Sequence, residues 1–218
     1  MSQILIAGAT GLVGQALIRQ LGPEHQLTLL CRQPGEVAPN RHWLPVNFER
    51  LNEVALPGPV DMAFCCLGTT RKDAGSDEAF RRVDHDYVLA FAALARRHGC
   101  RRLLVVSSLG ANSRSPALYP RTKGEMEQAL LAQEWQRLVI LRPAMLLGHR
   151  QPPRHGPAST LHQRLPAHAS ASGQTAPSGS RCLPCLGLLL CARIWLGRFR
   201  PHQQLLHFSR PHHRGHRS

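Results

Sequence analysis

Over the first two-thirds of the chain, short apolar runs alternate with amphipathic stretches. Residues 4–7 are continuously apolar and read as a buried strand, and the stretch that follows, to about Leu21, has helical spacing. Residues 26–31, 42–47, 60–66, 102–107 and 138–141 read as further strands, with Pro57-Gly58-Pro59 as a turn. Ser76 or Asp77 caps a long helix running to about His98 and closed by Gly99. On it Phe80, Val83, Tyr87, Phe91 and Leu94 recur every three or four residues, which predicts one buried face. Strands and helices in alternation predict an α/β domain with a Rossmann-type doubly wound parallel sheet.

The join between the first strand and first helix is the most informative stretch. Gly8, Gly11 and Gly14 stand at G-x-x-G-x-x-G spacing. Such glycines allow a tight turn out of the strand, backbone close enough to touch a pyrophosphate, and a helix packed hard on the sheet. The free N–H groups of the helix's first turn then suit phosphates. A dinucleotide site is expected here; the competing reading is a doubly wound domain with a tight turn and no nucleotide. The second strand ends at Arg32, where an acidic residue would favour NAD and an Arg can pair with a 2′-phosphate. Arg32 therefore points to NADP(H), against the alternative of a solvated strand-end Arg. Leu67-Gly68-Thr69 leaves the fourth strand on the ligand-facing edge, where Gly68 admits a cofactor and Thr69 offers a hydroxyl; an ordinary strand-to-loop glycine fits the spacing equally.

Composition divides the chain. Of 218 residues, 1–150 carry 18 Lys+Arg against all 13 Asp+Glu, whereas 151–218 carry 9 Arg, 8 His and 8 Pro with no acid and no Lys. The first part is expected to be the dinucleotide-binding domain. The second shows no periodicity that would bury a core, so disorder is expected there, with the sheet edge at residues 138–141 left bare. Such a composition arises when a GC-rich gene is read out of frame; the alternative is a genuine basic tail for an acidic surface or nucleic acid. No recognised nucleic-acid motif accompanies the charge, so nucleic acid is not expected as a partner. The stretch 183–196 is interrupted by Arg193 and too short to span a membrane, and no membrane association is expected. Cys182, Cys185 and Cys191 lack the spacing of a closed zinc site, so no metal is expected. Cys65 and Cys66, adjacent in a strand, point to opposite faces and read as packing residues, which suits a reducing cytoplasm. The first strand starts almost at Met1, so no leader is expected.

The chemistry concentrates at residues 107–123. Ser107 and Ser108 end a strand on the ligand-facing edge, and Tyr119 and Lys123 stand four apart on a helix, hence on one face. The chain holds 2 Tyr and 2 Lys against 25 Arg, so a Lys one turn after a Tyr is a selective feature. A free tyrosine, with pKa about 10, relays protons poorly near neutrality. A neighbouring ammonium and a nicotinamide cation both favour its phenolate. Tyr119 would exchange a proton with a carbonyl or alcohol while hydride moves at the nicotinamide, Ser108 would hold the substrate oxygen, and Lys123 would also reach the nicotinamide ribose.

Gly8-Ala9-Thr10-Gly11-Leu12-Val13-Gly14, Ser107-Ser108 and Tyr119-x-x-x-Lys123 together resemble an atypical short-chain dehydrogenase/reductase. Residues 64–71 (Phe-Cys-Cys-Leu-Gly-Thr-Thr-Arg) and 83–88 (Val-Asp-His-Asp-Tyr-Val) resemble its Tat-interacting-protein-like, NADPH-binding oxidoreductase branch. The similarity runs from Ile4 to about Arg154. It implies a Rossmann fold and NADPH held at Gly8, Ala9, Thr10, Gly11, Leu12, Val13, Arg32, Leu67, Gly68, Tyr119 and Lys123. It further implies cofactor-side positions at Leu146 and Arg154, and Tyr119 as proton donor and acceptor. The Ser108–Tyr119 spacing is shorter than in the main family, leaving Ser107 or Ser108 as the acting serine, and the asparagine that completes the tetrad in many relatives has no evident counterpart. Three functions remain open: an NADPH-dependent reductase of a small carbonyl compound, an NADPH-binding regulatory or redox-sensing protein, and a truncated, inactive reductase without its substrate lobe.

Overall fold

The computed structural model describes residues 1–143 and, as backbone, residues 204–208. Seven strands form one parallel sheet: β1 (Gln3–Ala7), β2 (Gln26–Cys31), β3 (Arg41–Pro45), β4 (Met62–Cys65), β5 (Arg102–Val106), β6 (Arg137–Pro143) and β7 (Gln204–Phe208). Their order is β3-β2-β1-β4-β5-β6-β7. The order reverses direction between β1 and β4, the crevice where ligands of doubly wound sheets bind. The helices are α1 (Leu12–Leu21), α2 (Arg71–Ala74), α3 (Asp77–Arg81), α4 (Tyr87–Arg97) and α5 (Leu118–Leu131), with a 3-10 helix at Phe48–Glu53.

Strand alternation distributes two cores. Leu5, Ala7, Ala63, Cys65, Leu103 and Val105 face one side with Phe91, Leu94 and Met126. Ile4, Ile6, Phe64, Leu104 and Val106 face the other with Val13, Leu17 and Leu21 of α1. Adjacent Cys65 and Cys66 belong to opposite faces, and both are free thiols, as their strand positions predict.

The strands predicted at 42–47 and 60–66 are shorter than expected. Asn47 turns away to cap the 3-10 helix, its side chain accepting from the Glu49 N–H, and β3 ends at Pro45. Val60 and Asp61 N–H donate to His98 and Gln3 carbonyls outside the β4 ladder. The long helix predicted from Ser76 to His98 starts where expected, with Ser76 Oγ accepting from the Ala79 N–H. A π-helical turn at Arg82–Asp86 interrupts it between α3 and α4. The wider turn shifts the buried stripe by one residue: Phe80, Phe91 and Leu94 are buried as expected, but Asp84 and Val88 take the places foreseen for Val83 and Tyr87, which are half-buried.

The edge at residues 138–141, expected to be bare, is paired: β7 runs parallel to β6 with Val139 opposite Gln204 and Pro143 opposite Phe208. An edge strand offers unpaired backbone N–H and C=O groups to any short extended segment, so such pairing needs no alternating side-chain pattern. The remaining expectations for 151–218 lie outside the described residues.

One glycine sets the seat of α5. A Cβ on Gly124 would stand 2.1 Å from Ser113 N and 2.3 Å from the Asn112 carbonyl carbon, so the helix rests directly on the backbone after β5. In an open helix interior Gly→Ala stabilises by about 1 kcal/mol. Here Gly124→Ala is expected to reverse that sign and lower stability by about 1–3 kcal/mol, read as a fall in the midpoint of thermal or urea unfolding; an unchanged or raised midpoint would refute this seating.

Candidate functional site

The carboxyl ends of β1, β2, β4 and β5 carry Gly8, Arg32, Leu67-Gly68-Thr69 and Ser107-Ser108, and α5 carries Tyr119 and Lys123. Gly8 adopts φ +77°, and a Cβ there would lie 2.4 Å from the Cys66 carbonyl oxygen. Gly14 is equally constrained, its absent Cβ 2.2 Å from the Gly8 oxygen. These two glycines serve the turn and the helix packing. Gly11 is different: it is exposed, forms the N-cap of α1 and provides no side-chain cap. The first-turn N–H groups of Leu12, Val13 and Gly14 have no carbonyl in the helix to bond, and no acidic side chain occupies that turn. Ala9 and Thr10 complete the loop, braced by Gln15 Nε2 donating to the Ala9 carbonyl at 3.1 Å. This uncapped, glycine-walled helix start fits the phosphates of a dinucleotide.

Arg32 is exposed at the end of β2. Its guanidinium acts electrostatically on Tyr87, whose hydroxyl donates to Glu49 Oε1 at 2.6 Å, with Arg82 3.3 Å from the same carboxylate and Phe48 against the Tyr87 ring. On the other side of the switch point, Gly68 has no positive φ, and its nearest outside atoms would be 3.6 Å from an added Cβ. Neither strain nor internal packing demands glycine there, which leaves room for a ligand. The Thr69 hydroxyl bonds only weakly, at 3.4 Å, to the Thr70 carbonyl, and Leu67 is half-buried.

Beneath this loop lies the group sequence reasoning missed. Asp84 Oδ2 accepts from the Thr69 N–H at 2.8 Å, and Oδ1 lies 2.7 Å from Lys123 Nζ as an ion pair without the alignment of a directed hydrogen bond. The two side chains are 1% and 4% exposed. The signal was present, since an acid interrupting an apolar stripe is informative, but the periodicity assigned Val83 to the interior. Cys65 lies within electrostatic reach of both charges; burial pushes its thiol up to about 12, so it stays neutral there.

Tyr119 is one turn before Lys123 on α5, 43% exposed as a residue, with its ring against buried Phe80 at a centroid separation of 5.5 Å. Helical register thus sets phenol and ammonium on one side of α5, the phenol at the surface and the ammonium buried. Ser107 is buried, and its Oγ has no hydrogen-bond partner among the described residues; Ser108 is half-buried and donates to the Leu109 carbonyl at 3.2 Å. Leu146 and Arg154 lie outside the described residues. Among the described residues no group of His, Cys, Asp and Glu is placed to hold a metal ion, and no helix is long and apolar enough to cross a membrane.

A glycine cradle at the switch point of a parallel doubly wound sheet defines a dinucleotide-binding domain. A family profile described as NAD(P)H-binding matches residues 8–164. The rat protein HTATIP2 is 40% identical over 162 residues, covering 70% of this chain and 66% of its own length. The mitochondrial protein FMP52 of Eremothecium gossypii is 36% identical over 157 residues, covering 67% of each. The chain belongs to the NAD(P)H-binding family of atypical short-chain dehydrogenase/reductases. Solved structures agree in fold: the human epimerase family protein SDR39U1, solved with NADPH, matches with a TM-score of 0.52 and 20% identity over 67% of this chain and 55% of that one. A UDP-N-acetylglucosamine 4-epimerase from Methanobrevibacter ruminantium matches with a TM-score of 0.56 and 15% identity over 69% and 57%.

The Tyr87–Glu49 contact has a pH signature. Burial, then the hydrogen bond to Glu49, push the Tyr87 phenol from 10.0 up to about 12. A folded-state value above the unfolded one means that the stabilisation is complete below about pH 10 and is lost as pH rises through about 12. Tyr119→Phe leaves Tyr87 as the sole tyrosine. Its phenolate absorbance is expected to titrate near 12; a midpoint near 10 would remove the contact.

Proposed function

We propose that the protein is an NADPH-dependent oxidoreductase that reduces a small carbonyl compound. The observation that carries this reading is the spacing of Tyr119 and Lys123 one turn apart on α5, with the Lys123 ammonium 3.9 Å from where a Cβ on Gly68 would stand. The uncapped first turn of α1 holds the pyrophosphate, and exposed Arg32 takes the 2′-phosphate. Leu67, Gly68 and Thr69 line the approach to the nicotinamide side. The cofactor supplies the hydride. Tyr119 Oη exchanges the proton with the substrate oxygen, the Ser108 or Ser107 hydroxyl orients that oxygen, and the Lys123 ammonium supports both phenol and ribose. The four cysteines among the described residues are free, which supports a reducing compartment, and we propose the cytoplasm; the FMP52 relatives are mitochondrial proteins, and cell fractionation separates the two.

A second reading, an NADPH-binding regulator without turnover, draws support from the commitment of the Lys123 ammonium to Asp84. The chain spans 66% of the rat relative's length.

Isothermal titration separates cofactors. NADPH is expected to bind more tightly than NADH, and Arg32→Asp to cost NADPH affinity about 10–100-fold, as for a charge-assisted hydrogen bond of about 1.5–3 kcal/mol; tighter NADH binding by the unaltered protein would overturn the NADP assignment. Turnover separates the reductase from the regulator. With a panel of small aldehydes and ketones, NADPH consumption is expected, and Tyr119→Phe should leave cofactor binding within about twofold while lowering turnover by about 10²–10⁴-fold. Full activity in that variant would exclude Tyr119 as the proton donor.

A further inference from the structure

The pair formed by Asp84 and Lys123 is the most deeply buried charge arrangement at the candidate site, and Asp84 is not placed there by regular helical periodicity. Two buried ions are costly to desolvate and persist only when each is well partnered. Asp84 reaches its position because the π-helical turn at Arg82–Asp86 rotates it into the stripe between Phe80 and Val88. π-Turns within helices recur at functional sites. From there one carboxylate holds two separate parts of the site: Thr69 N–H of the loop after β4, at 2.8 Å, and Lys123 Nζ of α5, at 2.7 Å. Gly68 lies directly above, its missing Cβ 3.6 Å from Asp84 Oδ1 and 3.9 Å from Lys123 Nζ.

We propose that Asp84 is a positioning residue: its carboxylate bridges the loop after β4 to the Lys123 ammonium and holds both in the geometry that receives the nicotinamide half of the cofactor. An ammonium has three donor hydrogens and no acceptor. Holding one side of Lys123 from beneath leaves its remaining donors for ribose hydroxyls. The same carboxylate draws the Thr69 amide inward and so sets the path of Gly68, whose exposed backbone faces the ligand. The cofactor part of this inference rests on the function proposed above; the structural part does not.

Asp84→Asn is close to isosteric and keeps an acceptor for the Thr69 N–H while removing the charge that pairs Lys123. Two measurements on the full chain separate the parts. The first uses lysine reactivity: only Lys72 and Lys123 are present, Lys72 exposed and Lys123 buried. Under reductive methylation read by mass spectrometry, Lys123 is expected to be strongly protected relative to Lys72 in the unaltered protein and to lose that protection in Asp84→Asn. Equal labelling of the two lysines in the unaltered protein, or unchanged protection in the variant, would overturn the bridge whatever the protein binds. The second is NADPH affinity. Asp84→Asn is expected to weaken it about tenfold, a 1.4 kcal/mol effect, and Lys123→Met by at least as much. The double variant should be no weaker than Lys123→Met alone, because Asp84 acts through Lys123. Losses that multiply in the double variant, or an Asp84→Asn affinity equal to the unaltered protein's, would overturn the positioning role. If the unaltered protein binds no NADPH, the proposed function and the cofactor part fall together, and lysine labelling still decides the bridge. Should Asp84→Asn alone fold poorly, through its unpaired buried ammonium, the double variant removes that charge. It is expected to recover a melting point within a few degrees of the unaltered protein; failure to recover would show that the pair's charge balance is not what Asp84 provides.

Discussion

Backbone packed directly on backbone at the end of β1 is the constraint on which the rest depends. No side chain fits between Gly8 and the Cys66 carbonyl, or between Gly14 and the Gly8 carbonyl. The end of β1, the start of α1 and the end of β4 are therefore locked together at the point where the strand order reverses. The lock places the positive end of α1 at the mouth of the crevice and the Leu67–Thr69 loop beside it. Gly11, whose nearest neighbour would be 3.3 Å from a Cβ, is the least constrained of the three and the one that faces outward. Two glycines thus build the cradle, and the third keeps it open.

α5 is fastened by a second set of close contacts. Gly124 rests on the Asn112–Ser113 backbone, and on either side of it lie two carboxylate–cation pairs, one fully buried and one with a half-buried arginine. Lys123 meets Asp84, and one turn later Glu127 meets Arg142 of β6 in a two-pronged contact, Nε to Oε1 at 2.9 Å and Nε to Oε2 at 3.1 Å with Nη2 also engaged. Positions four apart share a helix face, so both pairs fix the same rotation of α5. That rotation leaves Tyr119 at the rim, its ring on Phe80. Breaking one partner of a buried pair leaves an uncompensated charge, which is far more costly than the pair itself. These charges therefore define geometry more than they add stability.

The tail bears on how the sheet ends. An arginine-, histidine- and proline-rich composition argues against a packed core, yet a five-residue segment of it continues the ladder beyond β6. Backbone hydrogen bonding needs only an extended segment and an open edge, whereas core formation needs a periodic apolar pattern. Composition speaks to the second requirement and is silent on the first.

Local chemistry made much of the domain legible from sequence. The run at residues 4–7 and its glycines foretold β1, the cradle and α1, because tight turns and close backbone approach admit no residue but glycine. β2 and the helix ends at Ser76 and Gly99 were legible for the same reason: capping and turn geometry are set by nearest neighbours. The Tyr119-x-x-x-Lys123 spacing placed both residues on one face of a helix. What lay beyond the sequence was every relation between segments distant along the chain. Asp84 stands 39 positions before Lys123 and 15 after Thr69, and a π-turn decides which face of its helix it joins. Whether an acid in an apolar stripe is solvated or buried depends on a counter-ion supplied by another helix, and only the folded sheet brings that ammonium to within 2.7 Å.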